Sequence, residues 1–411
     1  MSDESLAING GTAVRTTPFT SWPPVTESAV RAVSAAVESG IWGDVDGPRK
    51  VQFEQEFAAF HDSKFGLGVS NGTVSLQIAL AALGVHSGDE VIVPTYTFMA
   101  TAAAALAVNG TPIFVDVDPE TATMDPEAVE AAITPRTKAI IPVHYGGHPA
   151  DMDAFMEIST RTGIPLIEDA AQAVGARWNG RAVGSMGAFG SFSFQNSKNM
   201  TSGEGGALTM NDQALSDLAW SLHNCGRVRG GEWYGHTLNG TNHRLTELQS
   251  ALLLDQLEHV DDMMNTRTAN AKVIADALES VPGIEPLKVD PRVTRHGYHL
   301  YCMRFDADEF GISRDAFLAA LRAEGIPAGS GYSTPLNRQP LFANQAFDIE
   351  ALRIEPGDAR INYGALSFAG SEQLCQTMVI IPQWVLLGSA EDVLTVAEAA
   401  DKIHRLASTL S

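Results

Sequence analysis

Lys198 is the residue whose surroundings most favour chemistry. An alternating segment, Phe192-Ser193-Phe194, delivers it to a turn, and a glycine-framed segment, Gly205-Gly-Ala-Leu-Thr-Met210, leads away from it. A lysine between two apolar strands has little water around it. Desolvation disfavours the ammonium, lowers its pKa and frees a neutral amine to attack a carbonyl. That is what Schiff-base catalysis requires. A solvated turn lysine is the plain alternative, so the neighbouring motifs matter. Ser70-Asn-Gly-Thr73 opens a helix directly after the strand-like Phe65–Val69. Backbone N–H groups at such a terminus, with a threonine hydroxyl, suit a phosphate, although the same residues also make an ordinary helix cap. Glu168-Asp169 ends the strand Ile164-Pro-Leu-Ile-Glu168, the end at which open α/β sheets bind ligands. A carboxylate entering a buried site there needs a cation. A protonated ring nitrogen would serve, and a helix cap is the alternative. Phe98, just past the strand ending at Pro94, offers either a flat face for a ring or a core side chain.

The scaffold for these residues reads as alternating α and β units. Amphipathic or buried helical patterns cover 28–39, 51–61, 71–83, 98–108, 125–132 and 150–162, and short apolar strands cover 90–94, 112–117, 139–143 and 165–168. Apolar strands interleaved with helices predict a largely parallel sheet covered on both faces. From 246 to 278 the pattern becomes one long helix. Beyond it the texture changes: strand 299–305, helix 314–324, a Pro/Gly-rich loop 327–340, strand 379–382 and a closing helix 390–407. These shifts predict a large domain over 1–260 and a smaller α+β domain over 261–411.

Composition narrows the function classes. The 411 residues carry a net charge of −22, with no basic stripe to offset it, which argues against nucleic acid and anionic membranes. Three cysteines, Cys225, Cys302 and Cys375, are odd in number and widely spaced, so neither a disulfide framework nor a metal site is expected. The N-terminus lacks a basic segment followed by an apolar one, and the longest apolar run, 98–108, is too short to span a bilayer. A cytoplasmic protein is expected.

Taken together, the motifs resemble the DegT/DnrJ/EryC1/StrS aminotransferases, pyridoxal-phosphate enzymes of fold type I that aminate keto-sugars and ketocyclitols. The resemblance runs nearly the full length, through Trp22-Pro-Pro24, Phe53-Glu-Gln-Glu-Phe-Ala-Ala59, Asn71-Gly-Thr73, Val93-Pro-Thr-Tyr-Thr-Phe-Met-Ala-Thr101, Pro142-Val-His-Tyr-Gly-Gly147, Glu168-Asp-Ala-Ala-Gln-Ala-Val-Gly175, the lysine segment and Gly240-Thr-Asn-His-Arg-Leu245. It implies roles position by position. Lys198 matches the Schiff-base lysine and proton carrier, and Asp169 the partner of the ring nitrogen. Gln172 matches the residue at the phenolic oxygen, and Phe98 the ring-stacking aromatic. Gly72, Thr73 and Ser193 match the phosphate cradle. Asn242 matches an asparagine that reaches the neighbouring subunit's phosphate, which implies a homodimer with shared sites.

Phe194-Gln-Asn-Ser-Lys198, Gly203-Glu-Gly-Gly206 and Leu386-Leu-Gly388 look most like the branch holding the glutamine:scyllo-inosose aminotransferases and the 3-amino-5-hydroxybenzoate synthases. Gln195-Asn196 and Asn337 stand where many sugar-nucleotide enzymes carry a histidine-proline-like pair and a histidine. The resemblance therefore implies ping-pong transfer from glutamate or glutamine to a ketocyclitol or small keto-sugar, with Tyr332 and Arg338 as candidate substrate contacts. The alternatives are an aromatising dehydratase, which keeps the lysine, and a non-catalytic regulatory member. A dehydratase with histidine in the lysine's place is opposed by Lys198 itself.

Overall fold

The protein is described by a computed structural model covering residues 5–353 and 358–410. Seven strands form the central layer: β1 (Phe65–Val69), β2 (Glu90–Pro94), β3 (Thr111–Val115), β4 (Thr137–Ile140), β5 (Ile167–Asp169), β6 (Phe189–Ser193) and β7 (Gly206–Met210). Their order is β3-β2-β4-β5-β6-β7-β1, the β4–β5 neighbours being joined by parallel bridges Ile140–Leu166 and Val143–Asp169. Only β7 runs antiparallel to its neighbours. The carboxyl ends of the six parallel strands thus share one edge, and β7 starts there.

Strand residues alternate between two cores. Ile92, Ile113, Val115, Phe192 and Ala207 enter one; Val91, Val93, Phe114, Phe189 and Leu208 enter the other. Both faces are buried, which is why these strands read as continuous apolar runs. Phe53 and Phe57, on the helix Pro48–Phe60, pack edge-on against Phe194 with ring centroids 5.5 and 5.3 Å apart. The apolar sequence around the lysine turn is therefore core.

A second sheet, antiparallel, joins Ile284–Pro286, Leu300–Phe305 and Met378–Pro382. Its core takes Met303, Phe305 and Ile381 from the sheet and Ile274, Phe317 and Ile403 from helices Val260–Leu278, Arg314–Ala323 and Ala390–Arg405. The chain's first described residues pack here too. Leu6 is buried in this core, and the Glu324 carboxylate accepts the N–H groups of Ala7 and Val14 at 2.8 and 2.9 Å.

The single helix expected over 246–278 is two helices, Glu247–Leu257 and Val260–Leu278. Periodicity continues across the break, but burial changes sides: Leu253 belongs to the first core, Ile274 and Leu278 to the second. Asp261 and Asp262 in the first turn of the second helix favour a fresh N-terminus there.

Candidate active site

Strand ends bring the sequence-predicted residues to one edge. Gly206 pairs with Val69 on one side and Ser193 on the other. That register sets the helix Gly72–Ala82 against the end of β6. A Cβ on Gly72 would fall 2.7 Å from Ser193 Cβ, and one on Gly206 would fall 2.5 Å from the Asn71 carbonyl carbon. Only glycine allows both approaches. Asn71 caps the helix by accepting the Val74 N–H at 2.9 Å. The N–H groups of Gly72 and Thr73, beside Ser193, have no intrahelical acceptor, and a helix terminus of this kind can hold an anion.

Lys198 sits on the β6–β7 turn, its N–H bonded to the Gln195 carbonyl at 2.9 Å. Gln256 grips the turn at both ends of Thr201, accepting its N–H at 2.8 Å and donating to its carbonyl at 2.6 Å. Part of the lysine's surface stays accessible, yet protein surrounds it closely. Burial lowers its pKa to about 8, against the pull of Asp169 in the other direction. Asp169 is buried at the end of β5, and burial raises its pKa despite donors from Thr101 and the Ala171 N–H and the positive pull of Lys198. Each group thus moves toward its neutral form. Desolvation outweighs their mutual attraction, the state of a pocket ready to react with a carbonyl and to meet a cation.

Gln172 follows on the turn after β5. Its Oε1 accepts the Gly146 N–H at 2.7 Å, which fixes the amide and leaves Nε2 as the free donor, 3.5 Å from the Tyr332 hydroxyl. Tyr332 packs against Tyr96 and Tyr145 with centroids 5.3 and 5.8 Å apart, and burial pushes its phenol well above the ordinary range. Phe98 is 56% exposed, one turn before Thr101. Asn242 is exposed at the base of the 227–240 loop, bridged to Asn224, with Oδ1 accepting the Arg244 N–H at 3.5 Å. Arg338 is engaged elsewhere: its guanidinium holds Glu372 on the surface at 2.6 Å. Among the described residues, no contact joins Arg338 to Lys198, Asp169 or Gln172.

Glu168, beside Asp169, is structural. Its carboxylate accepts N–H bonds from Gly184, Met186 and Gly187, each at 2.7 Å. His144 Nδ1 accepts the Ala150 N–H at 3.0 Å, so its proton lies on Nε2, 3.3 Å from Glu168. Sequence patterning alone does not single out Thr101, His144, Asn199 and His299, although Thr101 and His144 lie inside the family-like motifs, where a polar side chain in a buried run is the available signal.

A groove of about 740 Å³ opens beside Asn196 and Ser197, walled by Phe19, Trp22 and Trp384. Trp22 Nε1 donates to the Asn196 carbonyl at 2.9 Å, tying the N-terminal segment to the lysine turn. A larger cleft of about 1150 Å³ lies against the second sheet, but solvated ion pairs such as Arg304–Glu285 wall it.

A lysine amine of lowered pKa, a buried carboxylate within its electrostatic reach, an amide side chain and a helix N-terminus gather at one edge of a mostly parallel sheet, an arrangement suited to Schiff-base chemistry. The chain belongs to the DegT/DnrJ/EryC1/StrS aminotransferase family, whose model matches residues 24–400. It is 42% identical, over 97% of this chain and 98% of the other, to a Streptoalloteichus tenebrarius protein provisionally assigned as L-glutamine:3-amino-2,3-dideoxy-scyllo-inosose aminotransferase. It is 39% identical to the L-glutamine:2-deoxy-scyllo-inosose aminotransferase of Micromonospora echinospora, over 97% of each chain. The crystal structure of 3-amino-5-hydroxybenzoic acid synthase superposes with a TM-score of 0.85 at 35% identity, covering 95% of this chain and all of that one. The protein is therefore an enzyme with the fold of these pyridoxal-phosphate aminotransferases. Among the described residues no helix is long and apolar enough to cross a membrane.

Proposed function

We propose that this enzyme moves the amino group of L-glutamine or L-glutamate to a ketocyclitol or small keto-sugar, in two half-reactions, with pyridoxal 5′-phosphate held on Lys198. The observation that carries this reading is the amine of Lys198, lowered by burial to about 8, within electrostatic reach of buried Asp169. The cofactor, when bound, supplies an electron sink for the substrate's α-carbon. The residues fit its parts. Gly72, Thr73 and Ser193 would hold the phosphate, Asp169 the ring nitrogen and Gln172 Nε2 the phenolic oxygen, and Phe98 would cover a ring face. Lys198 would hold the cofactor and serve as the amine that carries the proton. The chain up to residue 260 forms the cofactor domain, apart from the N-terminal segment around Leu6, which packs with the smaller domain over 261–411.

The acceptor is read from the groove and from the relatives. A nucleotide-linked sugar brings a diphosphate, which needs cations. Among the described residues, Arg322 is the one cation lining the groove beside Asn196 and Ser197, on the turn that leads to Lys198, and its Nε is committed to the Ala328 carbonyl at 2.9 Å. Two relatives named above act, by their names, on scyllo-inosose derivatives with glutamine as donor. A free ketocyclitol suits both facts.

The enzyme works as a homodimer in the cytoplasm, with the partner subunit's Asn242 completing each phosphate site. Trp233 and Tyr234, each 78% exposed on the 227–240 loop, support a partner surface beside Asn242.

Incubating the cofactor-loaded protein with L-glutamine and 2-deoxy-scyllo-inosose should give an aminocyclitol by mass spectrometry. Parallel arms use L-glutamate as donor and a nucleotide-linked keto-sugar as acceptor. Bound cofactor with no amine on any ketone would sink this reading. Release of an aromatic amino acid would favour the aromatising dehydratase, the reading that the 3-amino-5-hydroxybenzoic acid synthase likeness keeps open.

A further inference from the structure

Thr101 lies in the first turn of the helix Ala100–Ala107, and its hydroxyl leaves that helix. In a helix a threonine hydroxyl can bond back to a backbone carbonyl of its own helix. Thr101 instead donates Oγ1–H to Asp169 Oδ2 at 2.8 Å, across 68 residues of sequence, with both side chains buried. Thr97, also buried, places its Oγ1 3.1 Å from Thr101 Oγ1.

A threonine hydroxyl has one proton to give. An ionised Asp169 only accepts, so Thr101 spends its proton on Oδ2 and Thr97 directs its own to Thr101. The relay runs one way, toward the carboxylate. On the other oxygen, Oδ1 accepts the Ala171 N–H at 3.2 Å. One donor on each oxygen fixes the carboxylate plane and leaves acceptor capacity for a cation. Burial pushes Asp169 toward protonation, and among the opposing influences the Thr101 hydroxyl is the largest.

We propose that Thr101, oriented by Thr97, is a positioning residue for amino transfer, holding the Asp169 carboxylate as an anion in the one orientation that meets the ring nitrogen of the cofactor. This rests on the cofactor reading above. Packing alone would not need the hydroxyl, since valine has the same shape.

The test is Thr101→Val in the cofactor-loaded enzyme, with Thr101→Ser as the conservative rescue. The valine variant should keep its cofactor through dialysis, while kcat falls roughly tenfold to a hundredfold, the loss expected for a hydrogen bond to a charged group. The pH midpoint of its visible absorbance should rise by about half a unit or more, because a less firmly protonated ring nitrogen leaves the lysine nitrogen more basic. Serine should recover most of both changes. On an Asp169→Asn background, Thr101→Val should cost little further. A loaded valine variant with wild-type midpoint and kcat overturns the proposal, as does an undiminished loss on the Asp169→Asn background. Should Thr101→Val fail to fold, Thr97→Val carries the same test, with smaller shifts in the same direction expected and an unshifted midpoint overturning it. Wild-type protein that takes up no cofactor would sink the proposed function instead, a result distinct from a coloured but unshifted variant.

Discussion

Asn199, the residue after Lys198, is bound to His299 at the start of the second sheet's central strand. His299 Nδ1 donates to Asn199 Oδ1 at 3.2 Å, and Asn199 Nδ2 donates to the Gly297 carbonyl at 2.6 Å. The lysine turn is therefore fastened to the second sheet as well as to its own. Burial, reinforced by the positive Lys198 and Arg267, holds His299 well below the ordinary histidine range. The link keeps one protonation state across neutral pH.

Lys198 should respond to pH in the unloaded protein. Its folded pKa, about 8, lies below its ordinary 10.5. Below pH 8 the folded state holds a charged, desolvated amine at a cost; between 8 and 10.5 the folded lysine is neutral while the unfolded one is still protonated. Stability contributed at this site thus rises with pH through that window. Lys198→Met should stabilise the unloaded protein at pH 7 by on the order of 2–3 kcal/mol, the gain disappearing above pH 10.5. Denaturant melts at three pH values measure it, and a pH-independent difference contradicts the assignment.

Borohydride reduction of the loaded, yellow protein should fix the cofactor on Lys198, located by peptide mapping. A label on another lysine would remove Lys198 from its role.

Asp169→Asn should retain cofactor yet lose most turnover. Removing one partner of a buried charge pair costs about 3–5 kcal/mol, a rate loss of a few hundred-fold or more if it acts at the reacting state. Activity within about tenfold of wild type, ~1.4 kcal/mol, would make Asp169 only a cap.

Gly72→Ala separates a cradle from a plain helix start. Alanine is the better helix former by about 1 kcal/mol, so an ordinary terminus would gain stability. A cradle 2.7 Å from Ser193 Cβ would close instead. The expected result is cofactor affinity weaker by tenfold or more, ~1.4 kcal/mol, in equilibrium dialysis. Unchanged affinity with a higher Tm would refute the cradle.

Mixing inactive Lys198→Ala chains with Asn242→Ala chains, once the latter are shown to be inactive, tests the shared site. If Asn242 serves its partner, one site of each heterodimer carries both lesions and the other none, so activity partly returns after subunit exchange. A dead mixture with confirmed exchange would confine Asn242 to its own chain.

What the sequence determined was local. Strand runs, helix caps and the turn holding Lys198 follow from residue type and spacing within a dozen positions. The family motifs added roles to those places. The tertiary structure decided what sequence neighbours cannot encode. The helix run breaks at 258–259, where no breaker residue stands, because its two halves bury into different cores. Leu6 leaves the large sheet for the second core. Arg338, plausible in its loop, turns to Glu372. Thr101 reaches Asp169 across 68 residues, and His299 reaches Asn199 across 100. A hydroxyl's partner is set by which strand ends are brought together, and that depends on sheet order and register, which no local pattern carries.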